Sequence, residues 1–109
     1  MSNSFDNGDG QDGGSMSAEQ VVFLPTVEYY QKTYAGTLDD NDQKAVRLFK
    51  DYETHEKVRR LQQELIWVRD GKVKEITCDR LIGKKRRGKY SSYQGWGKLM
   101  LQWLAAVKK

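Results

Sequence analysis

Five cations lie within the seven residues of GKKRRGK, at residues 83–89, and Tyr90 and two serines follow them. Lys and Arg side chains at this density are suited to binding phosphate groups, either of a nucleotide or of a nucleic acid. The two glycines and Lys89 also have the spacing of a nucleotide-binding P-loop, G-x-x-x-x-G-K-[ST]. The first question is therefore which kind of phosphate this stretch is built to bind.

The surroundings of the basic stretch exclude a P-loop that hydrolyses nucleotides. Tyr90 stands where the motif requires the hydroxyl of Ser or Thr to hold magnesium. Such a loop also works with a second acid on a later strand, and residues 90–109 contain no acidic residue. We therefore expect no nucleotide hydrolysis here.

The same residues predict a surface that binds nucleic acid. Cations would neutralise backbone phosphates, and the aromatic rings that follow them would stack on the bases of a single strand. On a duplex, the cations would contact phosphates and read little sequence. The flanking glycines predict an exposed loop at residues 83–90. The predicted contact residues are Arg80, Lys84, Lys85, Arg86, Arg87, Lys89, Tyr90, Tyr93 and Trp96.

The charge of the chain is distributed very unevenly, although the net charge is only +4. Residues 1–20 hold four acids and no Lys or Arg, whereas residues 80–109 hold nine cations and no acid. This asymmetry favours a polyanionic partner, which could be DNA or RNA. The alternative function is a protein-interaction or regulatory domain. In that case the acidic tail, or the cluster of Tyr29, Tyr30 and Tyr34, would meet the partner, or the basic stretch would bind an acidic protein.

No other group of residues predicts catalysis, a metal site or a cofactor. His55 and Cys78 are the only His and Cys in the chain, which is too few for a structural zinc site. Asp39, Asp40 and Asp42 lack the ligand spacing and the closing Glu of a calcium loop, and we expect them to cap a helix instead. The sequence therefore predicts a binding protein that is not an enzyme and carries neither a metal nor a cofactor.

One class of enzyme stays open as a further alternative. The length, the basic charge and the predicted order of elements resemble in part the small toxin ribonucleases of toxin–antitoxin pairs. This resemblance implies that Arg80, Lys85, Arg86 and Tyr90 would be available to bind a phosphate and to act as a general acid or base. It rests on element order and charge alone.

The first half of the chain is predicted to contain a tail and two helices. Residues 1–19 are rich in Gly and Asp and predict a disordered tail, so the folded domain is expected to span residues 20–109. VVFLP at residues 21–25 predicts an edge strand or an extended segment. A short helix is expected next, with Thr26 as its N-cap and Gly36 as its C-terminal stop. The apolar spacing over residues 38–65 then predicts a long helix, either one rod or one broken near Thr54 and His55.

The second half is predicted to contain a hairpin and a last helix. Asp70-Gly71 is a strong signal for the turn of a β-hairpin within residues 65–78. The competing interpretation extends the long helix to Arg69 and ends it at Gly71. Residues 92–109 then show an apolar face at helical spacing. Together these patterns predict an α+β fold, in which two or three helices pack on a small antiparallel sheet.

The composition also suggests where the protein is located. No stretch has the roughly 18 apolar residues of a membrane span, and the N-terminus lacks the features of a signal peptide. The single cysteine allows no internal disulfide, which fits a reducing compartment. We therefore expect a cytoplasmic protein without a membrane partner.

Overall fold

The structure, a computed structural model, describes residues 20–107. The tail predicted at residues 1–19 lies outside the described residues, as do the last two lysines. Within the described part, the chain forms six α-helices joined by short turns. They are α1 (Pro25–Tyr30), α2 (Asp42–Tyr52), α3 (His55–Arg69), α4 (Glu75–Leu81), α5 (Lys84–Lys89) and α6 (Tyr93–Ala106).

The predicted α+β fold is wrong, because residues 20–107 contain no sheet. The residues predicted as the first strand of a hairpin continue α3 to Arg69, as the competing interpretation had it. After the turn at Gly71, the only β-type pairing in the described residues is an isolated parallel bridge between Val21 and Val73. In this bridge, the N–H of Val21 donates to the carbonyl oxygen of Lys72 at 2.8 Å. The extended segment predicted at residues 21–25 thus pairs at one residue, before α1.

The apolar spacing of α3 explains why a helix forms where a hairpin was predicted. Leu61, Leu65 and Val68 are buried, and intervals of four and three residues place them on one face of a helix. A strand would direct Leu65 and Val68 to opposite faces. Gly71 has a φ of 72°, a conformation that ends helices as readily as it turns hairpins. Asp70-Gly71 is therefore the end of a helix.

The N-terminus of α1 is capped by a carboxylate from a distant helix. Pro25 occupies the first turn, where its missing N–H costs nothing. The predicted cap, Thr26, lies inside the helix, and its backbone N–H donates to Glu64 at 3.1 Å. The N–H of Val27 donates to the other oxygen of Glu64 at 2.8 Å. The negative charge of this buried side chain also suits the positive end of the helix dipole, so α1 is fixed to α3.

Between α1 and α2 the helix changes form before the chain reverses. A π-helical turn at Gln31–Ala35 follows α1 directly, and a 3₁₀ turn at Gly36–Leu38 follows that. The predicted stop at Gly36 therefore lies inside helical structure. Asp39 and Asp40 then adopt left-handed φ values of 52° and 59° and reverse the chain. Asp and Asn tolerate this conformation better than most residues, which explains the acidic run at this position.

The long helix predicted up to residue 65 is two helices, and the break lies at Glu53 and Thr54. Of the two interpretations, the broken helix is thus confirmed. Thr54 is the N-cap of α3, and its hydroxyl accepts a hydrogen bond from the N–H of Lys57 at 3.2 Å. Thr54, a residue type that favours N-cap positions, is therefore the local signal that separates α2 from α3.

The predicted C-terminal helix is confirmed as α6, and it packs closely on α3. Ser92 caps it by accepting a hydrogen bond from the N–H of Gly95 at 2.9 Å. At the contact with α3, a Cβ on Gly97 would lie 3.0 Å from the backbone nitrogen of Arg69 and 3.1 Å from the carbonyl oxygen of Leu65. Glycine therefore permits the two longest helices to approach each other, and this pair forms the main wall of the core.

The carboxylate of Asp42 lies at the centre of this core, where the side chain is fully buried. It accepts hydrogen bonds from the hydroxyl of Tyr30 in α1 at 2.6 Å and from the indole nitrogen of Trp96 in α6 at 3.0 Å. Arg86 in α5 adds two more, from Nε at 2.7 Å and from Nη2 at 2.9 Å. A buried charge is tolerated only when it is paired and hydrogen-bonded, and Asp42 meets both conditions by joining four helices.

We expect Asp42→Asn to destabilise the fold strongly, because it leaves the buried guanidinium of Arg86 with only the partly exposed Asp40 as a counter-charge. The expected loss in the free energy of unfolding is about 3–5 kcal/mol. Asp40→Asn is the matched control: the side chain of Asp40 is 36% exposed, and its loss should be below about 1 kcal/mol. Denaturant unfolding of both variants measures the difference. Equal losses would show that the charge of Asp42 is not what stabilises the core.

Candidate functional site

The predicted basic loop at residues 83–90 is mostly helical, since Lys84–Lys89 form α5. Lys and Arg are good helix formers, and this preference acts against the two flanking glycines. Gly83 has a φ of 99°, so the chain can turn sharply between α4 and α5 there. Because these residues are helical, the direction in which each cationic side chain leaves the backbone is fixed, as it would not be in a loop.

Arg86 points into the protein, although its neighbours in α5 do not. Besides its two hydrogen bonds to Asp42, its Nη1 donates to the carbonyl oxygen of Ile82 at 2.9 Å, and its Nη2 lies 3.2 Å from Asp40. Burial by itself would lower the pKa of this guanidinium, but the hydrogen bonds and the charge of Asp42 raise it above its ordinary value. Its polar atoms are directed at groups inside the protein, so it is placed to anchor α5 rather than to reach an external phosphate.

The other predicted cations lie on the surface. Arg87 is half-buried and forms an ion pair with Glu75 at 3.0 Å. Four cations of α4 and α5 are exposed, and within residues 20–107 none of them forms an ion pair. We call these four the α5 basic face: Arg80, Lys84, Lys85 and Lys89.

The predicted aromatic residues are less accessible than the cations. Trp96 is 1% exposed, and its indole N–H is used by Asp42. Tyr93 is also buried, and its hydroxyl donates to Asp79. Neither ring is placed to stack on a base from outside. Tyr90 is half-buried, and the Nζ of Lys89 lies 5.4 Å from the centre of its ring.

A second partly exposed ring, Trp103, lies beside Tyr90. The centres of the two rings are 6.4 Å apart, in an edge-to-face arrangement. Trp103 also lines a cavity of about 670 Å³ between α2 and the end of α6, which we call the α2–α6 cavity. Lys44 and Arg47 of α2 line the same cavity. None of these three residues was among the predicted contacts.

The spacing of residues in the sequence could have indicated that one of these side chains is buried. Ile82, Arg86 and Tyr90 recur every four residues, which is the spacing of one helix face, and Ile82 is apolar. That pattern indicates that Arg86 faces inward. Trp103 carried no comparable signal, because it lies within the apolar stripe of α6 and differs from Trp96 only in how deeply the fold buries it.

The described residues do not form a metal site. No group of three or more His, Cys, Asp or Glu side chains within residues 20–107 is arranged to hold an ion. His55 is exposed at the start of α3, while Cys78 is buried in α4. Burial is the main reason that the pKa of the Cys78 thiol is raised to about 11, which makes it a poor nucleophile at neutral pH.

Comparison with known proteins adds no function to this geometry. No protein-family model matches the sequence, and no curated protein or solved structure matches it significantly. Among residues 20–107, none of the helices combines the length and the apolar character that crossing a membrane requires.

Five tyrosines of the described residues have raised pKa values, and the largest shifts, at Tyr30, Tyr34 and Tyr93, have related causes. Burial is the largest cause for Tyr30, and the negative charge of Asp42 adds to it. For Tyr34, burial acts together with a hydrogen bond to Glu53, and for Tyr93 with one to Asp79. In each case the folded state favours the neutral phenol.

We therefore expect the protein to lose stability at alkaline pH. A phenol whose pKa is raised by folding contributes stability that is present below its unfolded pKa of about 10 and is lost as the pH rises above that value. Denaturant unfolding between neutral pH and pH about 11 measures this loss. Tyr93→Phe should reduce the slope above pH about 10, whereas the matched control Tyr52→Phe removes an exposed phenol and should leave the slope unchanged. If the free energy of unfolding of the parent protein does not change between neutral pH and pH about 11, the raised pKa values of these tyrosines are contradicted.

Proposed function

We propose that this protein binds nucleic acid without catalysing a reaction on it, and that the α5 basic face contacts the phosphates. The observation that carries the proposal is the set of four exposed cations with no ion pair among the described residues. Like charges held this close repel one another, so a docked polyanion relieves a cost that the free protein bears. Release of counterions from the nucleic acid adds to the affinity.

The anchoring of α5 supports this proposal. The ion pair between Arg86 and Asp42 fixes the helix from inside, so the exposed lysines have a rigid base. A rigid base lowers the entropy that is lost when the lysines meet a phosphate backbone. Contacts of this kind position a protein on nucleic acid without specifying a base sequence, and we expect little sequence preference from α5 itself.

The toxin-type ribonuclease is not retained as an alternative. Its resemblance depended on a sheet, and the described residues form none. Of the residues it implied, Arg86 is used inside the core, and the pKa of Tyr90 is raised, first by burial and then by the charge of Asp42. A phenol with a raised pKa is ionised to a smaller extent at neutral pH, so less of it is available as a general base, and it is also a weaker general acid.

The test is a salt-dependent binding titration with a variant of the α5 basic face. The parent protein should bind oligonucleotides with an affinity that falls steeply with salt, at a slope of about −3 to −6 in log–log form. Changing Lys84, Lys85 and Lys89 to Gln should reduce this slope by about 3.

The control variant carries Arg59→Gln, Lys72→Gln and Lys98→Gln, which removes three exposed cations elsewhere and matches the change in net charge. It should retain most of the affinity. If the control loses as much as the α5 variant, binding depends on overall charge and not on α5. If the parent protein does not bind even at low salt, the proposal fails.

A second candidate function, binding of a protein partner, is favoured by an exposed apolar patch. The tyrosine cluster first considered for this role is turned to the core, where Tyr30 is buried and Tyr34 packs against Phe49. The patch lies elsewhere: Phe23 is 73% exposed and Ile76 is 74% exposed.

The backbone segments that carry these two side chains meet, because the hydroxyl of Thr77, next to Ile76, donates to the carbonyl oxygen of Val22, next to Phe23, at 3.0 Å. Large exposed apolar side chains on neighbouring segments are typical of protein-binding surfaces. The extended backbone beside them offers a further place for a partner chain to pair.

A photo-crosslinking residue at position 23 should capture a defined protein from an extract of the host. Capture should fall several-fold when Ile76→Ser is added, because the partner would lose half of its apolar contact area. The matched control places the same crosslinker at position 52, since Tyr52 is 76% exposed but belongs to a different helix. Capture of the same proteins from both positions would indicate non-specific contact.

A further inference from the structure

The α2–α6 cavity has the size and the walls of a binding site for one small unit. Its volume of about 670 Å³ lies in the range of about 300–1,000 Å³ that is typical of ligand sites. The Nζ of Lys50 in α2 donates to the carbonyl oxygens of Leu104 at 2.8 Å and Val107 at 2.6 Å. These bonds tie the end of α6 to α2, so the two helices that bound the cavity are held together next to it.

The lining of the cavity combines cations with an aromatic ring. Lys44 and Arg47 are exposed, and neither forms an ion pair with any residue in the described range 20–107. Trp103 of α6 is partly buried and supplies an aromatic surface. Asp51, one turn beyond Arg47, also lines the cavity, so an anionic group is favoured beside Lys44 and Arg47 rather than beside Asp51.

A chain of side-chain contacts links this cavity to the α5 basic face. Lys89 belongs to that face, and its Nζ lies 5.4 Å from the centre of the Tyr90 ring. The Tyr90 ring in turn packs against Trp103, at 6.4 Å between centres. Cations and rings therefore follow one another from α5 to α2, in the order Lys89, Tyr90, Trp103 and then Lys44 with Arg47.

We propose that the α2–α6 cavity takes one unpaired nucleotide of a single-stranded nucleic acid, with its base stacked on Trp103 and its phosphate between Lys44 and Arg47. Stacking platforms beside cations that follow the backbone are what single-strand binding requires. An acidic peptide would use the cations but leave the ring without a matching flat partner. A duplex has its bases paired and stacked already, so it cannot supply one. The proposal rests on the function proposed above, because it extends the same strand from α5 to α2.

The experiment compares three probes of equal length: an oligothymidylate, an abasic oligomer with the same phosphates, and a duplex. The parent protein should bind the oligothymidylate at least about fivefold more tightly than the abasic oligomer, since one stacked base supplies that much. Trp103→Leu should abolish this difference and leave duplex binding unchanged. Trp103→Phe keeps a ring and should retain part of the difference.

A second variant keeps the test valid if Trp103→Leu does not fold. Lys44→Gln with Arg47→Gln changes only exposed side chains, and it should weaken binding of the oligothymidylate about tenfold or more. The matched control is Arg59→Gln with Lys72→Gln, which removes two exposed cations that do not line the cavity and should have a much smaller effect.

Failure of this inference is distinguishable from failure of the proposed function. If the parent protein binds the abasic oligomer as tightly as the oligothymidylate, with a steep salt dependence, the α5 basic face stands and the stacking site is refuted. The stacking site is also refuted if Trp103→Leu folds and keeps the difference between the two probes. If none of the three probes binds at low salt, both proposals fail together.

Discussion

The fold depends on how one buried charge is satisfied. Asp42 is in the core, where an unpaired carboxylate would cost more than a small domain can tolerate. Its hydrogen bonds come from Tyr30, Arg86 and Trp96, on three different helices. The positions of α1, α5 and α6 relative to α2 are thus fixed by a polar requirement as well as by apolar packing. The orientations of these helices are also restricted, because each donor must reach the same two carboxylate oxygens.

The same requirement shapes the surface. α5 is six residues long, which is too short to be stable as an isolated helix. Its stability therefore comes from contacts with the rest of the protein, and Arg86 supplies a buried ion pair among them. One cation of the basic stretch is directed inward, and the exposed lysines around it gain a defined arrangement as a result. The same short helix thus supplies both the exposed lysines at the surface and the arginine that pairs with Asp42 in the core.

Glu64 has a similar role at the N-terminus of α1. It satisfies two backbone N–H groups of α1, which has no local side-chain cap. Short helices in this protein are therefore capped and anchored by residues far away in sequence. Such long-range contacts have the role that strand pairing has in a sheet. They explain how helices of only six and seven residues are held in place in a domain with little β-pairing.

Sequence reasoning found the parts of this fold that depend on neighbours along the chain. It predicted the apolar stripe of α6 and a break near Thr54, both of which are local signals. It preferred a hairpin to the end of α3 at Gly71, and it did not predict the caps at Thr54 and Ser92. It failed where a partner far away in sequence determines whether a side chain is buried. Only the spacing from Ile82 distinguishes Arg86 from Arg87, and no residue near Trp96 indicates that it contacts Asp42. For the candidate site, the cations were found by composition. Their exposure, and the burial of Tyr93 and Trp96, depend on packing that no short window of sequence contains.

The sequence separations around Asp42 bear on how the chain reaches this structure. Its closest donors lie 12, 44 and 54 residues away, so the carboxylate is not fully satisfied until both ends of the described chain have assembled around α2. A partly folded state that enclosed Asp42 with Tyr30 alone would bury a charge without its counter-ion, and it would be poorly populated for that reason. Partial assembly is thereby disfavoured at the centre of the molecule, and folding of residues 20–107 is driven toward a single cooperative, two-state transition.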